Sequence, residues 1–443
     1  MLSIFKKIVP NFIKVIYHKL LFLIVNIRFG MPDKKLKLIG VTGSSGKSTT
    51  AFMIYHILKE NGKRVGLIST IGAYIDNEEI DIGLHVTTPD AQNIPKLLKK
   101  MVEANVDYAI IEVSSHALDQ GRVGFLKFDR SAITNITSDH LDWHKNWINY
   151  ANAKCKIINM TRKNGKIFIN RDDKKSYEYI KKRFENFNTP NFVSYGLNMV
   201  KEIDSDEKQR FVFENVHFEI PIIGSYNISN ALSAIEISKS FGISDKDCSK
   251  ALKSFKTLKG HMELFKNNDK RVLLDFAHNT DSLKKSIIEA RNLSKNGKLI
   301  TLFGSAGMRD IKKRYDMGFE ASKLSDIVII VPEDPRTEKL YDINSEILRG
   351  CNEGGLNLVK RFKSQQEFNL LKSNFMNFEK GVFVFDYEKI EARINGIELG
   401  INLLKNDDIL ITQGKGHEQS MCFGKTEYPY DEKSVILNFL KHN

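Results

Sequence analysis

Residues 36–50 read LKLIGVTGSSGKSTT, and no other stretch restricts the fold of this chain as strongly. The apolar run Leu38-Ile39-Gly40-Val41 breaks into a loop of Gly43, Ser44, Ser45 and Gly46, after which Lys47, Ser48 and Thr49 open a helical pattern. A buried strand, a Gly/Ser loop and a helix N-terminus in that order make a phosphate cradle. The glycines let backbone N–H groups turn inward, Lys47 supplies a point charge, Ser48 a hydroxyl for Mg2+, and the helix end its dipole. The full Walker pattern puts Gly where Val41 stands, so the match is to the shorter TGxxGK[ST] form.

At 443 residues the chain is expected to hold two or three domains. The pattern after the loop predicts a helix over Ser48–Glu60 stopped by Gly62, a strand over Arg64–Ile68 and a helix over Ile94–Ala104. Buried strands follow at Tyr108–Val113 and Ser131–Asn135, which leaves Glu112 and Asn135 at strand ends, where open parallel sheets bind ligands. Residues 200–220 read as a small β excursion, and Gly224–Ser240 as a helix. Near Leu258-Lys259-Gly260 the chain changes domain. Further strands are predicted at Val272–Phe276, Leu299–Phe303, Ile327–Val331, Gly381–Phe385 and Ile409–Thr412. The expected fold class is α/β: a P-loop doubly wound parallel-sheet ATPase domain, then a Rossmann-like C-terminal α/β domain. The boundaries are 1–35 for an apolar-basic helical segment, 36–257 and 258–443.

The 67 Lys and Arg outnumber the 54 Asp and Glu by 13. The lysines are scattered, without a basic stripe or interleaved aromatics, so no nucleic-acid partner is expected; a general Lys bias or an anionic substrate accounts for the charge. Cys155, Cys248, Cys351 and Cys422 form no CxxC pair, which fits a reducing cytoplasm and neither a zinc site nor a disulfide frame. In residues 1–30, Phe12-Ile13, Val15-Ile16-Tyr17 and Leu20–Val25 are apolar, with Lys6, Lys7, Lys14, Lys19 and Arg28 between them. The uncharged run Leu20–Ile27 is far short of the ~20 residues of a membrane span. Two readings stand: a helix packed on the body, or a basic amphipathic helix in peripheral contact with an anionic membrane.

Three segments are distinctive: Glu112-Val113-Ser114-Ser115-His116, Gln120-Gly121-Arg122-Val123, and Thr134–Asp142 (TNITSDHLD). Thr87-Thr88-Pro89, Ala153-Lys154, Tyr226–Ala231 (YNISNA), Asp275-Phe276-Ala277-His278, Glu333-Asp334-Pro335-Arg336 and Gly414–Glu418 (GKGHE) accompany them in order. With the P-loop, this set closely resembles the Mur ligases, the ATP-dependent amide-forming enzymes of peptidoglycan synthesis, and within them those that add the third residue of the stem peptide. The resemblance implies ATP and Mg2+, transfer of the γ-phosphoryl to a carboxylate, and displacement of phosphate by an amine. It places Ser48 and Glu112 on one Mg2+, His140 near a second, and Lys154 there as a carbamate, with Lys156 as the nearby competitor. Taken alone, His140 reads as a capping or core residue and Lys154 as a solvated helix position. The ATP set it implies is Gly43–Thr49, Asn230, Asp275 and Arg314, with His278 near the nucleotide; otherwise Asn227 is a helix cap and His278 a buried histidine. Thr87, Thr88, Ser114, Gln120 and Arg122 correspond to contacts with a muramoyl-peptide acceptor, where one bidentate Arg suits a carboxylate.

For the incoming amino acid, the family closes a D-N-P-R motif with an Arg that reads the distal carboxylate of meso-diaminopimelate. Here the motif is Glu333-Asp334-Pro335-Arg336; Arg309 matches a second carboxylate-binding Arg, and Gly414 and Glu418 the groups that hold the diamino acid. Meso-diaminopimelate is therefore expected over lysine. His261 stands where the family has an Arg that helps with phosphates, and supplies charge only when protonated. Thr280 replaces a Pro. The family's UDP-holding N-terminal domain has no counterpart in Met1–Lys35, so it is expected to be missing or reduced to the apolar-basic helix. The competing expectations are a polyglutamate-type ligase on another acceptor, a lysine-adding enzyme, and a nucleotide-binding scaffold without catalysis. A monomer is expected.

Overall fold

A computed structural model of the protein describes residues 10–76, 78–80, 87–137, 139–184, 191–375 and 378–442; residues 1–9 of the N-terminal segment and Ser138 of the TNITSDHLD motif lie outside them. The chain divides into two compact units, with the second starting at Lys256 apart from two short earlier segments.

The first unit is organised by an eight-stranded sheet. Its strands are β1 (Lys37–Thr42), β2 (Val65–Ile68), β3 (Ala73–Ile75), β4 (Glu78–Ile80), β5 (Tyr108–Glu112), β6 (Phe128–Ile133), β7 (Thr161–Asn170) and β8 (Asn191–Tyr195). The order is β4-β3-β2-β5-β1-β6-β7-β8. β1 lies between β5 and β6, parallel to both. Its continuous apolar run is what a parallel strand covered on both faces needs, and every residue from Leu38 to Thr42 is buried. Helix Lys47–Glu60 follows the loop and buries Ala51, Met53, Ile54, Ile57 and Leu58. β6 begins three residues earlier than its apolar run suggested. Phe128 is in the core, and Ser131 is satisfied inside it by the Thr161 hydroxyl at 2.7 Å. The antiparallel edge β2-β3-β4 has no clear period-2 signal. The excursion after Val200 is a three-stranded sheet: β9 (Val200–Ser205), β10 (Gln209–Phe213) and β11 (Val216–Ile220).

Helix Asn11–Arg28 packs on this unit. Phe22 is fully buried in its core. The contact is close because residue 124 is glycine: a Cβ there, at φ +56°, would stand 2.2 Å from the Phe22 ring. Among the described residues no helix is long and apolar enough to cross a membrane.

The second unit carries a seven-stranded sheet: β12 (Glu263–Asn267), β13 (Lys270–Asp275), β14 (Leu299–Phe303), β15 (Ile327–Ile330), β16 (Leu358–Phe362), β17 (Gly381–Phe385) and β18 (Ile409–Gln413), followed by the hairpin β19 (Ser420–Phe423) and β20 (Thr426–Pro429). The order is β12-β13-β18-β14-β15-β17-β16, parallel except for β12. Beneath it Arg393 and Glu432, both fully buried, form a bidentate ion pair, and Arg393 also donates to the carbonyls of Pro332 (3.3 Å) and Gln413 (2.7 Å). A buried guanidinium is tolerated only with such complete pairing. Here it ties the chain after β15 to the end of β18.

Candidate active site

The P-loop is wired to the strand beside it. The N–H of Ser44 donates to the Asn135 carbonyl and that of Ser45 to Asn135 Oδ1, both at 2.9 Å, and Thr134 Oγ1 donates to the Ser45 carbonyl at 2.6 Å. A Cβ on residue 43 would sit 1.8 Å from Thr134 Oγ1, so only glycine fits there. Gly46 takes a left-handed φ of 79° at the start of the helix. Lys47 Nζ lies over the loop, 2.9 Å from the Ser44 carbonyl, and Thr49 is half-buried one turn in. Ser48 Oγ donates to Glu112 Oε2 at 3.0 Å. Glu112 is buried at the carboxyl end of β5, and its oxygens also accept the N–H and hydroxyl of Thr70, at 3.0 and 3.1 Å.

These donors fit Mg2+. A hydroxyl and a held carboxylate are hard oxygen ligands, and the described residues contain no cluster of three or more His, Cys, Asp or Glu that would make an all-protein cage. Mg2+ ordinarily takes one or two protein oxygens and completes its shell with water and substrate phosphates.

Lys154 departs most from its local reading. It is not solvated: helix Trp147–Asn159 carries it into the interior, 1% exposed, with Nζ 2.6 Å from the Gly43 carbonyl and 4.6 Å from the centre of the Tyr150 ring. Burial first, and then the Lys47 charge, hold its amine well below the usual lysine range. The competitor Lys156 is exposed and paired with Asp119 at 2.7 Å. His140 adopts a left-handed φ of 52°, its Nε2 3.7 Å from Asp139. Its ring packs edge-on against His116 at 4.8 Å, and His116 in turn against His144 at 5.6 Å. Burial and the neighbouring His116 push His144 down to about 4, so it is neutral at physiological pH and pairs with Ser115 Oγ at 3.1 Å. Asn230 is buried against the loop: a Cβ on Gly46 would stand 2.3 Å from its Oδ1, and its Nδ2 donates to Asn227 Oδ1 at 2.8 Å.

Thr88, Ser114 and Arg122 come together beside β5. Thr88 Oγ1 accepts the Ser114 N–H at 2.9 Å and donates to the Glu112 carbonyl at 3.0 Å. Ser114 Oγ caps helix Ser115–Asp119. Arg122 donates to the Thr88 carbonyl at 2.7 Å, while its buried Nε has no partner among the described residues. Thr87 is half-buried next to Thr88, and the Gln120 carbonyl pairs with His18 Nδ1 at 2.8 Å.

In the second unit, the candidates lie at the carboxyl ends of β13, β15 and β18. Asp275 is buried, accepts the Met262 N–H at 3.1 Å, and is pushed up to about 6 by burial. His278 Nδ1 pairs with the Phe276 carbonyl at 2.9 Å. Lys415, 1% exposed, joins Asp334 (3.1 Å) to Glu418 (2.6 Å). Asp334 also accepts the Cys422 N–H at 2.9 Å. Glu333 is buried with one oxygen, Oε2, unpartnered, and burial raises it to about 7. Gly414, at φ +102°, passes so close that a Cβ would stand 2.4 Å from that oxygen. Arg336, at φ 55°, donates to the Gly307 carbonyl at 3.1 Å, and Pro335 crosses Gly307 with no room for a side chain. Arg309 is exposed on the same loop. His261 stacks on His417, rings 5.6 Å apart.

Arg314 does not sit as the ATP set expected. It is 1% exposed, and Glu338 (2.6 and 2.8 Å) and Glu346 (3.3 Å) occupy its guanidinium. That arrangement ties helix Lys312–Leu324 to the chain after β15, and Arg314 is left out of the set proposed below. Two participants were missed by the sequence reading. Lys415 has a signal, the i,i+3 spacing to Glu418 inside the GKGHE segment. Thr70 has none, because only the turn after β2 brings it to Glu112.

A phosphate cradle with a Mg2+-type oxygen pair on one α/β unit, followed by a second α/β unit rich in ion pairs at its strand ends, is the build of an ATP-dependent amide ligase. Comparison with known proteins agrees. The Mur ligase middle domain matches residues 41–238, and the Mur ligase glutamate ligase domain residues 260–416. UDP-N-acetylmuramoyl-L-alanyl-D-glutamate--2,6-diaminopimelate ligase 1 of Clostridium acetobutylicum is 33% identical over 93% of this chain and 79% of its own length. The corresponding ligase of Fusobacterium nucleatum is 33% identical over 95% and 80%. Among solved structures, a ligase of the same description superposes with a TM-score of 0.59 at 22% identity, over 92% of this chain and 78% of that one. E. coli FolC with ADP gives 0.66 at 18%, over 89% and 90%. The chain belongs to the Mur ligase family. It is an ATP- and Mg2+-dependent, ADP-forming carbon–nitrogen ligase.

Proposed function

We propose that this ligase acts in peptidoglycan precursor synthesis in the cytoplasm, as a monomer, joining meso-diaminopimelate to a muramoyl-L-Ala-D-Glu-type acceptor. The observation that carries this reading is the charge arrangement around Arg336. A guanidinium held by one N–H to Gly307 keeps its other donors available for a carboxylate. Beside it, Lys415 balances Asp334 and Glu418, two carboxylates suited to an ammonium group. Lysine has no second carboxylate for such an Arg to read. The diaminopimelate named for the relatives agrees with it.

The acceptor carboxylate attacks the γ-phosphorus of ATP, giving an acyl phosphate and ADP; the amine then attacks the acyl carbon, and phosphate leaves. Bound Mg2+ would spread the phosphate charge, with Ser48 and Glu112 to hold it. Lys47 leaves the Ser44 carbonyl for the phosphates, which the loop N–H groups cradle. Thr70 keeps Glu112 aimed. Burial and the Lys47 charge favour the neutral Lys154 amine, the form that adds CO2: an N–C bond forms, one proton leaves, and the resulting carbamate anion sits next to the Lys47 charge that opposed the ammonium. His140 lies near that position, and Asn230 takes the adenine. Arg122 with Thr87, Thr88, Ser114 and Gln120 binds the acceptor. Asp275 and His278 keep the nucleotide role, Arg309 and Glu333 the amino-acid role, that the family resemblance gives them.

ADP release by purified protein tests the reading, with UDP-muramoyl-L-Ala-D-Glu as acceptor and meso-diaminopimelate, lysine or glutamate supplied in turn. Meso-diaminopimelate should stimulate release; no stimulation by any amine would reject the acceptor.

A further inference from the structure

Helix Asn11–Arg28 turns an uncovered apolar face outward. Of the nineteen exposed large apolar side chains among the described residues, seven lie on this one helix. At helical spacing Phe12, Ile13, Ile16, Leu20, Ile24 and Ile27 share a stripe with Tyr17, an arc of about 140°. Lys14, Lys19 and Arg28 border the stripe at its two edges. No acidic residue precedes Asp33 in the sequence, whereas Lys6, Lys7, Lys14, Lys19 and Arg28 do.

The opposite face fixes this orientation. Phe22 is buried against Gly124, Val15 lies against Gly121, Asn11 Nδ2 donates to Asp119 at 3.1 Å, and His18 pairs with the Gln120 carbonyl. The helix cannot roll its apolar stripe inward without breaking these contacts. A broad apolar stripe with basic borders and no acid is the pattern of a helix lying in a lipid interface, where apolar burial and attraction to anionic headgroups add. Two copies of this face brought together would oppose cation to cation.

We infer that this face lies in the headgroup region of an anionic lipid bilayer. Because its inner face is seated on Asp119–Gly124, the contact holds that segment next to the bilayer surface.

Co-sedimentation of the full chain with phosphatidylcholine vesicles, with and without phosphatidylglycerol, tests it. Binding should be about tenfold stronger with the anionic lipid and should weaken in high salt. Ile16→Glu/Leu20→Glu/Ile24→Glu should lower binding about tenfold or more at an unchanged unfolding midpoint. Lys14→Glu/Lys19→Glu should lower it on anionic vesicles only. Failure of the wild-type chain to bind either vesicle, or equal binding by the triple variant, would overturn the inference. So would a wild-type dimer in sedimentation that the triple variant dissociates, which would give the face to a second copy.

Discussion

The nucleotide end of the first unit and the amino-acid end of the second are built from the same parts, loops at the carboxyl ends of parallel strands, yet they handle charge differently. Around the P-loop, neutral partners fix the ionisable groups: Thr70 and Ser48 donate to Glu112, and Lys154 donates to the Gly43 carbonyl. At the amino-acid end, charges fix one another: Lys415 between Asp334 and Glu418, with Arg336 on a carbonyl nearby. The first arrangement suits a polyanion, with Lys47 lying over the loop to meet it. The second offers both signs and suits a zwitterion. The phosphate-cradle pattern is therefore written in a short local motif, whereas the charges of the second unit are gathered from several segments.

The largest effect should come from Lys47→Met, which removes the phosphate-facing cation. We expect a fall in kcat of about a thousandfold or more in an ADP-release assay, with the unfolding midpoint unchanged. Lys154→Ala should follow, at about a hundred- to a thousandfold. With 13C-labelled bicarbonate, the wild-type chain should give a carbamate NMR signal that this variant lacks. Loss of activity without any wild-type signal would leave Lys154 a structural role and remove the carbamate.

At the amino-acid end the effects should be smaller and selective. Lys415→Met strips a buried cation from two carboxylates, and should cost about 3 kcal/mol of stability as well as amino-acid binding. Arg336→Ala should raise KM for meso-diaminopimelate about ten- to a hundredfold while leaving KM for ATP unchanged; equal loss for both substrates would break the contrast between the two ends. The smallest effect is one of pH. Glu333 is raised to about 7 in the folded chain, so its proton is favoured there and its ionisation opposes folding. Its unfavourable contribution grows as pH rises from the ordinary Glu value of about 4.3 through 7. Glu333→Gln, neutral throughout, should therefore match the wild type near pH 4 and be more stable by about 1–3 kcal/mol at pH 8, as read from thermal unfolding.

What could be read from the sequence follows the same division. β1, β5, β14, β15 and β18 were legible because a strand buried on both faces must be a continuous apolar run. The edge strands β3 and β4 were not, since three residues at a sheet edge carry too little period to register. The P-loop was readable because its chemistry is contiguous. Lys154 was not readable as a buried amine from its own helix; its environment is supplied by Gly43, Lys47 and Tyr150, which are distant or a turn away. Arg314 misled because an Arg near a binding segment looks the same in sequence whether it faces a phosphate or two glutamates. Of the two readings of the N-terminal helix, packing on the body holds for one face, and the other face is apolar and outward.

The most direct measurement offers the enzyme a choice. With ATP, Mg2+ and UDP-muramoyl-L-Ala-D-Glu, an equimolar mixture of meso-diaminopimelate, lysine and glutamate should yield one amide product. Its mass should be that of the diaminopimelate adduct, formed in step with ADP and phosphate. A lysine or glutamate adduct as the main product, or ADP released without any amide, would contradict the account.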